Sequence, residues 1–258
     1  MNRYPFLWLL LWGLMLPAMA ASLPSFKGVA VDGTRWDSGR LTRRPLTVLV
    51  FFTTSCRPCL DMIDTLQPLD EEDVRVVAVS PEPLAGLQAL NRRRGWQAPL
   101  LHADAGVLKG YRALGVYPTV YVLGPGGQVL DRFQGRSAAG QALWLTLADR
   151  LMQRHRFAAA ARLYQRIDAP KVRERARLGL AYALLKQGDT AQARQIFESL
   201  LSSPVAAAAW EGLGEWYLQA GDLEAAEAAV KEALARDPKR PVAKSLEARI
   251  RFRRRQLE

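Results

Sequence analysis

The chain has 258 residues, 49% of them hydrophobic, and a formal net charge of +11. That length and apolar fraction suit one or two packed globular domains with ample core, not a disordered chain. The positive excess is heaviest in the C-terminal half and densest at Arg249, Arg251, Arg253, Arg254 and Arg255. Such a run can serve nucleic acid or an anionic membrane, but no nucleic-acid motif accompanies it. A solvated helix end, where cations suit the dipole, accounts for it.

Residues 1–21 have the pattern of an export signal. Arg3 gives a short positive start, Phe6 to Leu16 is an apolar run, and Ala18-Met19-Ala20 is a small-residue cleavage site. The run is shorter than the roughly 20 residues of a comfortable membrane span. The expectation is therefore an exported, periplasmic protein with no stable span after cleavage, tethered to the membrane only if the signal stays uncleaved. Export implies an oxidising compartment, in which a close Cys pair is redox-relevant.

Val29 to Thr34 predicts a short strand and turn. Leu46 to Phe52 is a continuous run of apolar, β-branched and aromatic residues and predicts a central buried strand. The only two cysteines follow, in Cys56-Arg57-Pro58-Cys59, at the start of a predicted helix that runs to about Leu69. Pro58 suits the first helical turn, where a missing N–H costs nothing. A Cys at a helix N-terminus meets unpaired N–H groups and the positive end of the dipole, which favour the thiolate. Arg57 adds a cation beside it.

Val74 to Val79 predicts a second strand, Pro83 to about Arg94 a helix closed by Gly95, and Pro99 to His102 a short edge-like segment. Ala105 to Leu114 predicts a helix stopped by Gly115. Pro118 directly precedes a strongly β-prone run, and a cis bond is one way to fit it. After the turn Gly124 to Gly127, Gln128 to Gln134 predicts the returning hairpin strand. Strands alternating with helices, then a hairpin, describe a small α/β sheet domain over 22–137.

From about residue 138 the spacing is helical throughout, and a repeat emerges. Trp210-x-x-Leu213-Gly214-x-x-Tyr217, with Gly221, Ala226, Ala233 and Pro238, carries the tetratricopeptide signature. Leu180, Leu184, Gly188, Ala193 and Phe197 repeat it one period earlier; Leu147, Leu151, His155, Ala160 and Tyr164 repeat it again, more loosely. Three helix pairs and a final helix, Val242 to about Arg254, predict an all-α solenoid over 138–258. His155 falls where the other repeats have Gly and is read as a turn residue, not a ligand.

Residues 23–136 resemble the thioredoxin superfamily, and within it the exported thiol–disulfide oxidoreductases of the TlpA/ResA type. The resemblance rests on Val48 through Cys59, on Gly115-Val116-Tyr117-Pro118-Thr119, and on the hairpin through Gly126-Gly127. It implies a thioredoxin-like α/β fold followed by the tetratricopeptide solenoid. It implies that Pro118 is cis beside the disulfide and that Tyr117 offers backbone hydrogen bonds to an extended substrate. Under it Cys56 is the nucleophile and Cys59 resolves the mixed disulfide. Arg57 and Pro58 complete the site, and a proline between the cysteines resembles the reducing members. No metal or cofactor is implied. The implied partners are a protein thiol or disulfide client, an upstream thiol reductant and a protein bound by the repeats.

The chain departs from the superfamily pattern in two places. Ser55 stands where many members have Trp, and the strand from Leu46 to Phe52 carries no acid to assist the second Cys. Two other readings stay open: a repeat-based assembly factor whose thioredoxin-like part is structural, and a peroxide reductase, because Thr53-x-x-Cys56 has peroxiredoxin spacing. Zinc would lack ligands beyond His102 and His155, and a loop this short makes a poor structural staple.

Overall fold

The computed structural model describes residues 23–69, 73–135 and 141–257. The export segment expected at 1–21 and the domain boundary expected at 137/138 fall outside these residues. Strands β1 (Lys27–Ala30) and β2 (Arg35–Asp37) form a hairpin, followed by a single helical turn, α1 (Ser38–Leu41). Then come β3 (Leu46–Phe51), α2 (Arg57–Leu66), β4 (Val74–Ser80), α3 (Leu84–Arg94), β5 (Leu100–His102), α4 (Ala105–Gly110), β6 (Thr119–Leu123) and β7 (Val129–Gln134). All strands join one sheet in the order β2-β1-β5-β4-β3-β6-β7. β3, β4 and β5 run parallel, while β6 and β7 form the antiparallel hairpin expected from the turn at Gly124 to Gly127.

The central strand is buried on both faces, as its unbroken apolar run requires. Its side chains alternate between two cores. Val48, Val50 and Phe52 pack with α2 and α3; Leu49 and Phe51 pack with Phe26, Leu108 and Tyr111 on the other face. β4 and β6 divide in the same way, which follows from the two-residue period of a strand. Thr47 is the one polar residue in β3. It is fully buried and donates from Oγ1 to the Leu41 carbonyl at 2.5 Å, which offsets the cost of burying its hydroxyl.

Two expectations need correction. The segment ending at His102 is not at an edge: β1 pairs with its outer side, so the sheet continues two strands further. The helix expected to reach Leu114 ends at Gly110, and Arg112 takes positive φ (49°) in the turn that follows.

The remaining helices are α5 (Gln141–Gln153), α6 (Phe157–Gln165), α7 (Pro170–Gln187), α8 (Thr190–Ser199), α9 (Ala206–Ala220), α10 (Leu223–Arg236) and α11 (Pro241–Arg255). They are the three predicted pairs and a final helix. Gly188 and Gly221 close α7 and α9 with φ of 90° and 84°, a conformation that favours glycine. His155 occupies the equivalent turn after α5 with φ of 59°. The second helices α6 and α8 each send a ring onto a glycine of the helix that follows. A Cβ added at Gly179 would lie 2.4 Å from the Tyr164 ring, and one at Gly212 would lie 2.2 Å from the Phe197 ring.

The sheet and the helical array share a core. Leu143, Leu145, Leu147 and Leu151 of α5 belong to the same apolar cluster as β3, β4 and α2. Arg150 of α5 grips Asp131 of β7 through two hydrogen bonds, 2.8 and 3.1 Å long, and its guanidinium pKa is raised by that carboxylate. Arg156 pairs with Asp73 just before β4. Helix α5 is thus both a layer on the sheet and the first helix of the array.

Candidate functional site

The register of the sheet assembles the site. Phe51 lies opposite Thr119 of β6 and Val79 of β4, and Ser80 lies opposite His102. The carboxyl ends of β3, β4 and β5 and the amino end of β6 therefore meet at one edge of the sheet. Open α/β sheets place ligands at such an edge. The chain emerging from β3 carries Cys56, the one from β4 carries Glu82, and the one entering β6 carries Tyr117 and Pro118.

Cys56 is the N-cap of α2, and its backbone carbonyl accepts from the N–H groups of Cys59 (2.9 Å) and Leu60 (3.2 Å). Its own side chain makes no capping hydrogen bond. The two cysteines form a disulfide with Cα atoms 5.3 Å apart. Cys59 is fully buried among the residues of the α2 core, whereas Cys56 is half-buried. Arg57 and Pro58 are exposed at the first two helical positions, where a proline has no N–H to lose. A thiol at Cys56 sits where the helix dipole and the unpaired N–H groups of the first turn favour a negative charge.

The Tyr117–Pro118 peptide bond is cis, Pro118 is buried and Tyr117 is half-buried between the two cores. Thr119 begins β6, and its Oγ1 donates to the Val116 carbonyl at 2.7 Å, tying down the segment in front of the proline. Leu114 and Val116, 49% and 42% exposed, give that segment an apolar outer rim. Every residue expected at the site thus lies at this edge of the sheet.

One neighbour was not expected. The Glu82 carboxylate accepts the Thr54 N–H at 2.9 Å, holding the loop two residues ahead of Cys56. The Glu82 carbonyl in turn bonds the His102 ring Nδ1 at 2.8 Å, which links the ends of β4 and β5. Glu82 stands 26 positions beyond Cys56 in a Pro-Glu-Pro segment that reads only as a turn, so nothing local in the sequence points to it. The Thr53 hydroxyl, which has the peroxiredoxin spacing, lies 3.3 Å from the Ser55 hydroxyl. Farther along the sheet a cavity of about 450 Å³ is lined by Lys27, Arg35, Trp36, His102 and Asp104, and no cysteine lines it.

Sheet order, helix placement, the Cys pair at the start of α2 and the cis-proline before β6 define a thioredoxin-like fold, here followed by tetratricopeptide-type helix pairs. Sequence comparison agrees in both parts. Residues 19–132 match the AhpC/TSA family, and residues 145–203 and 178–241 match a tetratricopeptide repeat family. No curated protein matches the chain. Among solved structures, a thioredoxin-family thiol:disulfide interchange protein from Chlorobium tepidum is 25% identical over 47% of this chain and 90% of its own, with a TM-score of 0.40. A thioredoxin-like protein from Porphyromonas gingivalis is 23% identical over 51% and 92%, with a TM-score of 0.43. A secreted disulfide oxidoreductase from Mycobacterium tuberculosis is 17% identical over 50% and 95%, with a TM-score of 0.41. Among the described residues no helix is long and apolar enough to cross a membrane, and no group of acidic, His and Cys side chains could hold a metal ion.

Proposed function

We propose that this protein is an exported, periplasmic thiol–disulfide oxidoreductase that reduces a disulfide of a partner protein, with the helical repeats recruiting that partner. The observation that carries the reading is the asymmetry of the pair: Cys56 half-exposed at a helix N-terminus, Cys59 buried behind it, in one disulfide. In the reduced protein the Cys56 thiolate attacks one sulfur of the client disulfide. A Cys56–client disulfide forms, and the other client sulfur leaves and takes a proton. The Cys59 thiolate then attacks the Cys56 sulfur, closes the Cys56–Cys59 bond and releases the second client thiol. Two electrons pass from the dithiol to the client, and an upstream thiol reductant restores the pair. Tyr117 and Pro118 form the wall along which the client backbone lies, and Arg57 stabilises the thiolate. If the signal is not cleaved, the same chemistry operates from a membrane tether.

Insulin reduction with dithiothreitol tests the chemistry. A rate well above background, abolished by Cys56→Ser, is expected. A Cys56→Ser variant as fast as the unaltered protein would leave only the assembly-factor reading. A Cys59→Ser variant should trap the client on Cys56 as a mixed disulfide. Peroxide consumption that survives loss of Cys59 would favour the peroxide-reductase reading. Against that reading stand the near resolving partner and the engagement of the Thr53 hydroxyl with Ser55.

A further inference from the structure

The repeats carry a groove whose chemistry selects a partner. Between α9 and α11 a cleft of about 560 Å³ is lined by the apolar Leu218, Ala248 and Phe252 and by Gln219, Arg249 and Arg253. Phe252 is 63% exposed, an unusual state for a large aromatic side chain. No acidic side chain lines the cleft.

The arginines of α11 are not equivalent. Arg249 is bound to Glu215, Arg251 to Glu247 and Arg254 to Glu227. Glu215 also lies 3.7 Å from Lys186. Burial opposes its charge, but the hydrogen bonds from Arg249 and Gln219 and the nearby Lys186 charge hold its carboxyl below the ordinary value. Arg253 and Arg255 have no ion-pair partner among the described residues, and of the two only Arg253 lines the cleft, next to Phe252. The cleft therefore presents an unmatched positive charge beside an uncovered aromatic ring and an aliphatic lining.

We propose that this cleft binds an acidic peptide segment of the client that carries an aliphatic side chain. The aliphatic group covers Phe252 and Leu218, and a flanking carboxylate pairs with Arg253. A sugar-phosphate backbone gains nothing from Leu218 and Ala248. The proposal deepens the recruiting role given to the repeats above and rests on that reading.

The test uses the purified protein and a fluorescent twelve-residue peptide of alternating acidic and leucine residues, read by anisotropy. Control peptides replace each leucine by serine or each acid by lysine. Binding by the acidic leucine peptide alone is expected, weakened about tenfold by Arg253→Glu and by Phe252→Ala. Both side chains are exposed, so the fold persists in both variants. Arg255→Glu, equal in charge but outside the cleft, should change affinity less than about twofold. Equal losses in Arg253→Glu and Arg255→Glu would mean unspecific charge attraction and overturn the cleft. So would equal binding of a control peptide, no binding at all, or a preference for phosphatidylglycerol vesicles or a single-stranded oligonucleotide. Insulin reduction by the same preparation separates the readings. Reduction without peptide binding sinks the cleft alone, and peptide binding without reduction sinks the dithiol chemistry alone.

Discussion

The sheet region and the helical array solve the same packing problem in opposite ways. In the sheet, neighbours in space are distant in sequence: Phe51 meets Thr119 and Ser80 meets His102, so one register error would scatter the site. In the array, each helix packs chiefly against the next one or two, and the same contact recurs at a fixed interval, Tyr164 on Gly179 and then Phe197 on Gly212. The sheet concentrates its chemistry in a single place. The array repeats one packing joint and finishes with the last helix, which lines the cleft of the proposed binding site. The comparison teaches that loss of one contact costs the sheet its site and costs the array only a joint, except where the two share a core.

The largest expected effect breaks that exception. Leu147 is fully buried in the shared cluster, and Leu147→Ala should cost about 2–5 kcal/mol. Chemical denaturation followed at once by insulin reduction and by helix content should show both transitions moving together. Separate movement would mean that the two regions unfold independently. Gly212→Ala should cost about 1–3 kcal/mol, because the new methyl meets the Phe197 ring, and this outweighs the roughly 1 kcal/mol gained from better helix propensity. Its effect should stay in the array, with insulin reduction near normal in native conditions. Replacing Phe197 by Leu in that background should recover part of the loss.

Glu82→Ala acts on the other side of the comparison. It frees the Thr54 N–H and should slow insulin reduction several-fold while costing on the order of 1 kcal/mol of stability. A Glu82→Gln variant keeps an acceptor and should restore most of the rate. Failure of glutamine to rescue would point to the charge of Glu82 as its contribution. The smallest effect at neutral pH concerns buried phenols in both regions. Burial raises the pKa of Tyr111, Tyr164 and Tyr182, with charge from Asp149 adding at Tyr164 and from Glu211 at Tyr182. A raised folded-state value means stability that is complete below the free phenol's pKa of about 10 and is lost as pH climbs beyond it. Denaturation midpoints should be flat from pH 7 to 9 and fall above 10, less steeply in Tyr182→Phe.

Much of this was legible in the sequence, for identifiable reasons. The run from Leu46 to Phe52 has no reading other than a buried strand, and Gly188 and Gly221 mark helix ends because their φ values suit glycine. The position of the Cys56–Cys59 pair at a helix start and the cis bond before Pro118 were legible because two motifs some sixty residues apart fit one fold. The interior place of β5 was missed because three residues cannot advertise two partners. Glu82 was missed because its role depends on strand order, which no local pattern contains. Gly179 and Gly212 were passed over because a glycine inside a helix looks like a weakness until the ring above it is seen.

Helix α5 gives the molecule a fixed internal geometry. Its leucines belong to the sheet core and its other face begins the array, so the described residues of α5 tie the Cys56 edge and the array together through one packed core. Under the proposed function the spacer is then contributed by the partner, and the effective concentration of its disulfide at Cys56 would depend on the length and stiffness of that spacer. Under the proposed function the fold would act as a ruler, selecting among the disulfides of a captured protein by their chain distance from the captured segment.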